Sequence, residues 1–420
     1  KAAALRTESR YFLPPEEQFE GTEYHLIRLK MEGTPTIAEW LGTELQDVQS
    51  PEVGLDGMVN SYNFVKDLSY SLRKLGGITL RTNLDPLELI WENRPSLPAN
   101  PVEIQPLEYA GETLASKVAR IRKSLRGLHA DGMLVSALDD IAWTLNLRGT
   151  DVHCNPVFVS YLLIESDKVS LFVDDNKLSP EVKQYLQDNQ VSLYKYNKVE
   201  KCLESYSEYN ILLDGNETSY YLWKAVKCQE IVAAGSPIPA MKAVKNKAEI
   251  EGYRSTMLKD GVAMVKFLKW LKPAVEAGGQ TEISIDEKLT SLRAEQKLFR
   301  DISFDTIAGY AQHGAIVHYE ATPETDVVLK PEGLILIDSG AQYQDGTTDI
   351  TRTIALGPVS EEMKHIYTLV LKAHIQLELV KFPDGASGTQ LDAVGRECMW
   401  REGYNFLHGT GHGVGSYLCV

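Results

Sequence analysis

At 420 residues the chain is long enough for two or three domains and a sizeable buried core. A hydrophobic share of 43%, a charged share of 24% and a net charge of −15 suit a globular protein and argue against a nucleic-acid partner, since little is present to neutralise phosphates. No apolar run reaches the ~18 residues that span a bilayer. The five scattered cysteines, none in a C-x-x-C pair, read as the reduced thiols of a cytoplasmic protein.

Two proline-rich stretches, PSLPANPVEIQP (95–106) and GSPIPAMKAVKN (235–246), divide the chain into segments 1–107, 108–242 and 243–420. In the first, YHLIRLKM (24–31) reads as a strand and TPTIAEWLGTEL (34–45) as a helix. In the second, LASKVARIRKSLRGLH (114–129) has helical apolar spacing, MLVSA (133–137) is strand-like, and LDDIAWTLNL is a short helix with Trp143 in the core. VFVSYLLI (157–164), VSLFVDD (169–175) and NILLDG (210–215) are further strands, and the alternation predicts a mixed α/β layer.

The third segment opens on a helix capped by Asn246, with Glu249 as its box partner. Its apolar stripe is Ile250, Tyr253, Met257, Met264, Leu268 and Leu271, and Pro273 is expected to end it. A second helix is predicted after Ser284, with Glu287 as box partner, and a third from Ser360 to about Val380. Between them lie strand-like VVLK (327–330), LILIDSG (334–340) and ITRTIALG (350–357), an antiparallel α+β pattern. No G-x-G-x-x-G or G-x-x-x-x-G-K occurs, which argues against a Rossmann site or a P-loop.

The chemistry concentrates in the third segment. LILI ends in Asp338, and Asp349 follows beyond a turn containing Asp345-Gly346. A hairpin centred between Tyr343 and Gln344 would set the two carboxylates ~5 Å apart at Cβ, where they repel unless a proton or cation lies between them. A strict Asp-Gly turn would instead pair Asp349 with Gln342, so the facing geometry needs a longer loop or a bulge. GAIVHYE (314–320) carries His318, which by itself reads more readily as a packed histidine hydrogen-bonded to backbone. In LHGTGHGVG, four glycines at ~1 kcal/mol each disfavour the helix that would put His408 and His412 on one face. A loop or strand wall bearing imidazoles remains. An Asp/Asp/His set without thiolate suits Mn²⁺, Co²⁺, Fe²⁺ or Zn²⁺, and such a centre can ionise water and polarise a carbonyl.

LIDSG-x₆-TTDITRT followed by HGTGHGVG, with GAIVHY before them, resembles the aminopeptidase P group of the creatinase-like, or pita-bread, metallopeptidases. SALDDIAWTLNLRGTDVHCNPVFVSY (136–161) and RYFLPPEEQF (10–19) are similar to the middle and first domains of its three-domain members. The resemblance implies two mixed-sheet creatinase-like domains over 1–107 and 108–242, then part of a pita-bread domain over 243–420. It implies two divalent ions, most commonly manganese, with Asp338, Asp349 and His412 among their ligands. Two glutamate ligands and a further histidine would lie beyond Val420, so the chain reads as a piece of a longer protein truncated at both ends, and inactive as such.

The implied reaction is release of the residue preceding an N-terminal proline bond by a metal-activated hydroxide. His318 would stabilise the tetrahedral intermediate and His408 would contact substrate near the proline pocket. By fold analogy, Arg148 and Asp151 would line the groove from the middle domain, while Arg352 is either a carboxylate-orienting group or a surface strand residue. The implied partners are peptides with proline second, and a homodimer is a family expectation. A prolidase-like dipeptidase and a non-catalytic pita-bread binding protein are the rivals.

Overall fold

The computed structural model describes residues 2–420, the side chain of Glu17 apart. The first segment is built from small pieces. Strand β1 (Ala3–Thr7) pairs in parallel with β2 (Tyr24–Arg28). Helix α1 (Ile37–Glu44) starts in a Thr36/Glu39 capping box. Strand β3 (Glu52–Gly54), helix α2 (Tyr62–Gly76) and strand β4 (Thr79–Arg81) were not foreseen from the sequence. Ala38, Leu72 and Ile78 form the small core of this segment.

The middle segment is one mixed sheet. Helix α3 (Leu114–Gly127), strand β5 (Gly132–Val135) and helix α4 (Leu138–Leu145) lead into it. Strands β6 (Ser160–Glu165) and β7 (Val169–Val173), helix α5 (Pro180–Asp188), and strands β8 (Val191–Lys195), β9 (Asn210–Leu213) and β10 (Glu230–Ala233) complete it. The order is β8-β7-β6-β5-β9-β10, with β6 antiparallel to both neighbours and the other pairs parallel. Side-chain alternation sends Met133, Leu162, Ile164 and Leu171 to one apolar layer and Leu134, Leu163 and Phe172 to the other. Covered on both faces, these strands read as continuous apolar runs, which is why the sequence exposed them.

The third segment begins with helix α6 (Lys247–Ala277), whose Asn246/Glu249 capping box forms as expected. Pro273 does not end it. Burying Val275 in the last turn contributes about 1.5–3 kcal/mol, comparable with the ~3 kcal/mol cost of an interior proline, and Leu271 adds to it. The buried face also differs from the expected stripe. It runs Gly252, Thr256, Asp260, Ala263, Phe267 and Leu271, while Ile250 and Met257 stay exposed. Met264 and Leu271 of the expected stripe are buried, but Thr256 and Asp260 make the face partly polar and Gly252 meets a hairpin tip: a Cβ there would stand 2.0 Å from the Asp345 carbonyl oxygen.

Helix α7 (Glu282–Ala294) starts three residues earlier than expected, because Thr281 is the cap and Ser284 its box partner. Strands β11 (Phe299–Ile302), β12 (Ile307–Tyr310), β13 (Leu334–Ser339), β14 (Ala341–Tyr343), β15 (Gly346–Thr347) and β16 (Ile350–Ala355) form two antiparallel sheets, β12-β13-β16 and β11-β14-β15. VVLK contributes only a single bridge, Val328 to Thr281, instead of a strand. Helix α8 (Glu361–Leu379) has Ser360 as its cap, and α9 (Gly388–Trp400), unforeseen, packs on it. Ile335 and Ile337 face α6 and α7 through Phe267, Ile285 and Leu289. The other face of β13 carries Leu334, Leu336 and Asp338.

Candidate metal centre and its cavity

The hairpin register decides where the aspartates sit. Asp338 pairs with Thr351, Gln342 with Thr347 and Tyr343 with Gly346, so one register runs unbroken from β13–β16 into β14–β15. The turn is Gln344-Asp345, midway between the two hairpin centres weighed from the sequence. The turn starts one residue before the Asp-Gly pair, leaving Gly346 in the returning strand, and α6 engages both residues of the pair. Lys259 holds the Asp345 carboxylate at 2.6 and 2.8 Å, and Gly346 lies where a Cβ would approach Thr256 Oγ1 to 2.9 Å. Asp349 is therefore a diagonal neighbour of Asp338, on the same face, without a bulge.

The diagonal placement still brings the carboxylates together. Burial first, and then the Asp338 charge, push the Asp349 carboxyl above the usual range, while His412 pulls it back. His412 Nε2 stands 3.3 Å from Asp349 Oδ2. Its Nδ1 lies 2.8 Å from the Gly413 carbonyl oxygen, which accepts the ring N–H and leaves the Nε2 lone pair turned to the carboxylates. The stretch around His412 is irregular backbone, in keeping with its glycines.

His318 projects from the loop after β12 into the same space. The buried carboxylate of Glu282 holds that loop, accepting from the Tyr310 N–H at 2.7 Å and the Tyr319 hydroxyl at 2.8 Å, with His313 Nδ1 at 3.0 Å. His318 itself is exposed rather than packed. Its Nδ1 is 2.6 Å from the Tyr11 hydroxyl, and Arg10 lies 3.5 Å from Nε2. Partial burial first, and the Arg10 charge second, hold its imidazolium below the ordinary range. These partners are more than 300 residues away in sequence, and no local pattern announces them.

Asp338, Asp349, His412 and His318 line one cavity of about 670 Å³, together with Arg10, Tyr11, His153, Asp305 and Glu320. His408 is outside that lining. Its ring rests 4.9 Å from Phe406 and its Nδ1 contacts the Gly409 carbonyl at 2.8 Å. Arg148 does not face the groove either. It is 4% exposed, and its guanidinium donates to the carbonyls of Ala142, Leu147, Ser416 and Tyr417. Asp151 is buried with Lys177, and Arg352 is an exposed strand residue that donates to the Thr351 carbonyl.

The donor set fits a divalent cation. Asp338 Oδ1 is buried without a hydrogen-bond partner among the described residues, a costly state for a carboxylate oxygen unless a cation satisfies it. Paired carboxylates and one imidazole form an oxygen-rich, hard-to-borderline ligand set. Such a donor set on an α+β scaffold suits a metal-dependent hydrolase.

Comparison with known proteins gives that class its family. Residues 93–249 match the Creatinase/Prolidase N-terminal domain and residues 251–420 match Metallopeptidase family M24. Proteins named probable Xaa-Pro aminopeptidase P from Sordaria macrospora and Paracoccidioides lutzii are 38% and 37% identical to it; the alignments take in all of this chain and 70% of each relative. The structure of X-prolyl aminopeptidase from Caenorhabditis elegans, described as a cytosolic enzyme with a di-nuclear active site, superposes with a TM-score of 0.93 at 30% identity, covering all of this chain and 69% of that one. A Xaa-Pro dipeptidase from Bacillus anthracis shares the fold, with a TM-score of 0.58 at 21% identity over 73% of this chain and 83% of its own. The chain belongs to metallopeptidase family M24, in the Xaa-Pro aminopeptidase P group.

Proposed function

We propose that the protein to which this chain belongs releases the N-terminal residue from peptides whose second residue is proline. The observation that carries the reading is Asp338 Oδ1, buried and unpaired beside Asp349 and His412. Asp338, Asp349 and His412 would hold a divalent pair, most commonly manganese in this group, supplying an ionised water and a polarised carbonyl.

The chain's own residues do the rest. His318, its Nδ1 held by the Tyr11 hydroxyl, would turn an Nε2–H released from Arg10 to the scissile carbonyl oxygen as negative charge develops there. The Gly413 carbonyl keeps His412 in the tautomer that a ligand needs. His408, beside Phe406 and outside the cavity lining but close enough to act on His318, would reach a bound peptide only at the cavity rim. A proline nitrogen offers no N–H, so recognition falls to ring contacts instead of the strand-like pairing used for ordinary peptides. A cytoplasmic location and a homodimer complete the reading; no helix among the described residues is long and apolar enough to cross a membrane.

The test is manganese content and peptide hydrolysis of the full-length protein. Xaa-Pro-Xaa tripeptides should lose their first residue, while the same peptides with alanine second should remain intact. Cleavage of Xaa-Pro dipeptides alone would make the protein a dipeptidase, and a metal-loaded protein that cleaves neither would be a binding protein.

A further inference from the structure

A second group of metal-ligating side chains stands on the wall of the same cavity, apart from the paired aspartates. His153 and Cys154 come from the middle segment and Asp305 from the loop between β11 and β12. One ligand atom from each lies within 4.8 Å of the other two, and His153 Nε2 is 2.9 Å from Asp305 Oδ1. A tetrahedral zinc centre takes a nitrogen, a thiolate and a carboxylate oxygen at about 2.0–2.3 Å each, and the three side chains supply one donor of each kind within 4.8 Å of one another.

The turn bearing the cluster is held in place. Val152 and Asn155 bridge across it, Cys154 adopts a left-handed backbone at φ 60°, and its carbonyl accepts from Gln342 Nε2 at 3.0 Å. The local field is negative. Burial first, then Asp305, Asp301 and Glu320, push the Cys154 thiol up to about 12. A cation there meets three nearby carboxylates.

We propose that His153, Cys154 and Asp305 bind one borderline-soft divalent ion of the zinc type, at a site distinct from the paired-aspartate centre. The soft thiolate selects zinc or cadmium over manganese. An ion here ties the 152–155 turn to the 303–306 loop, and the open fourth position faces the cavity.

Cobalt is the probe, because only a thiolate ligand gives an intense near-ultraviolet charge-transfer band, and the paired-aspartate centre has none. The full-length protein, titrated with Co²⁺, should develop that band. Cys154→Ser should abolish it, and Cys419→Ser, at the other thiol lining the cavity, should leave it intact. In competition with a chromophoric chelator, the unmodified protein should bind one more zinc equivalent than Cys154→Ser. Asp305→Asn should weaken that equivalent roughly 10–100-fold. A missing band, a band that survives Cys154→Ser, or equal zinc stoichiometries would overturn the proposal. Should Cys154→Ser fail to fold, His153→Ala and Asp305→Asn, both at exposed side chains, decide by the same two readouts.

Discussion

The β13–β16 hairpin and the glycine-rich stretch around His412 line the same cavity from opposite kinds of backbone. The hairpin keeps one register through two ladders interrupted at Gly340 and at Thr348–Asp349, it is backed by α6 and α7, and that register places its two aspartates. The stretch from Phe406 to Leu418 has no ladder. Cations and amides reach out to its carbonyls: Arg396 to Phe406 and His408, Arg148 to Ser416 and Tyr417, and Gln342 to Leu418. One wall of the cavity is fixed by pairing, and the other is hung from side chains. Damage to the first should spread through the domain, whereas damage to the second should stay local.

The largest effect should follow from the aspartates themselves. Asp338→Asn in the full-length protein should lose bound metal and several kcal/mol of transition-state stabilisation, roughly 10³-fold or more in kcat/KM. Metal analysis and Xaa-Pro peptide kinetics read it, and retained metal with full turnover would break the assignment of the hairpin. Next comes the ion pair behind the ladder. Arg293 and Asp260 are both fully buried, 2.7 and 3.1 Å apart through two bonds, and Arg293 also donates to the Ser339 carbonyl beside Asp338. Removing one partner leaves a buried charge, so Arg293→Met should cost about 3–5 kcal/mol in denaturant unfolding.

A third prediction concerns the anchor at Arg148. Burial first, and Arg148 second, lower Lys117 from 10.5 to about 7. Between those values the unfolded chain binds more protons than the folded one, so stability should rise with pH from about 7 towards 10.5 and fall on the way back. Lys117→Met should flatten that slope in unfolding measured across the window. The smallest effect belongs to the suspended stretch. Arg396→Met should cost only about 1 kcal/mol globally, yet amide exchange at residues 406–412 should speed up markedly. Faster exchange across the whole hairpin would erase the contrast between the two regions.

Sequence was a good guide where one physical cause acts alone. VSLFV is buried throughout as its composition suggests, LILI is a strand buried on its isoleucine face, and the glycines of HGTGHGVG disfavour a helix by propensity. It misled where two causes compete. The buried face of α6 holds Gly252, Thr256 and Asp260 because it must accept a hairpin tip and an arginine, and no apolar period records that. The Asp345-Gly346 pair is a strong turn signal in isolation, but the turn starts one position earlier and α6 engages both residues of the pair. Asp338, Asp349, His412 and His318, singled out in the sequence, line one cavity, but the diagonal register of the aspartates and the grip of Tyr11 on His318 could not be read there. Arg148 carried the opposite lesson, since a conspicuous arginine placed in the groove by fold analogy proved to be an internal clamp on a short strand.

That clamp also has a history in time. Arg148 reaches the carbonyls of Ser416 and Tyr417 across 268 and 269 residues of chain. At roughly 5–20 residues per second of synthesis, the middle sheet emerges from the ribosome some tens of seconds before the atoms that complete it. During that interval the guanidinium has only the carbonyls of Ala142 and Leu147. The nascent middle segment is therefore born with an open socket, and the arrival of Ser416 and Tyr417 closes it.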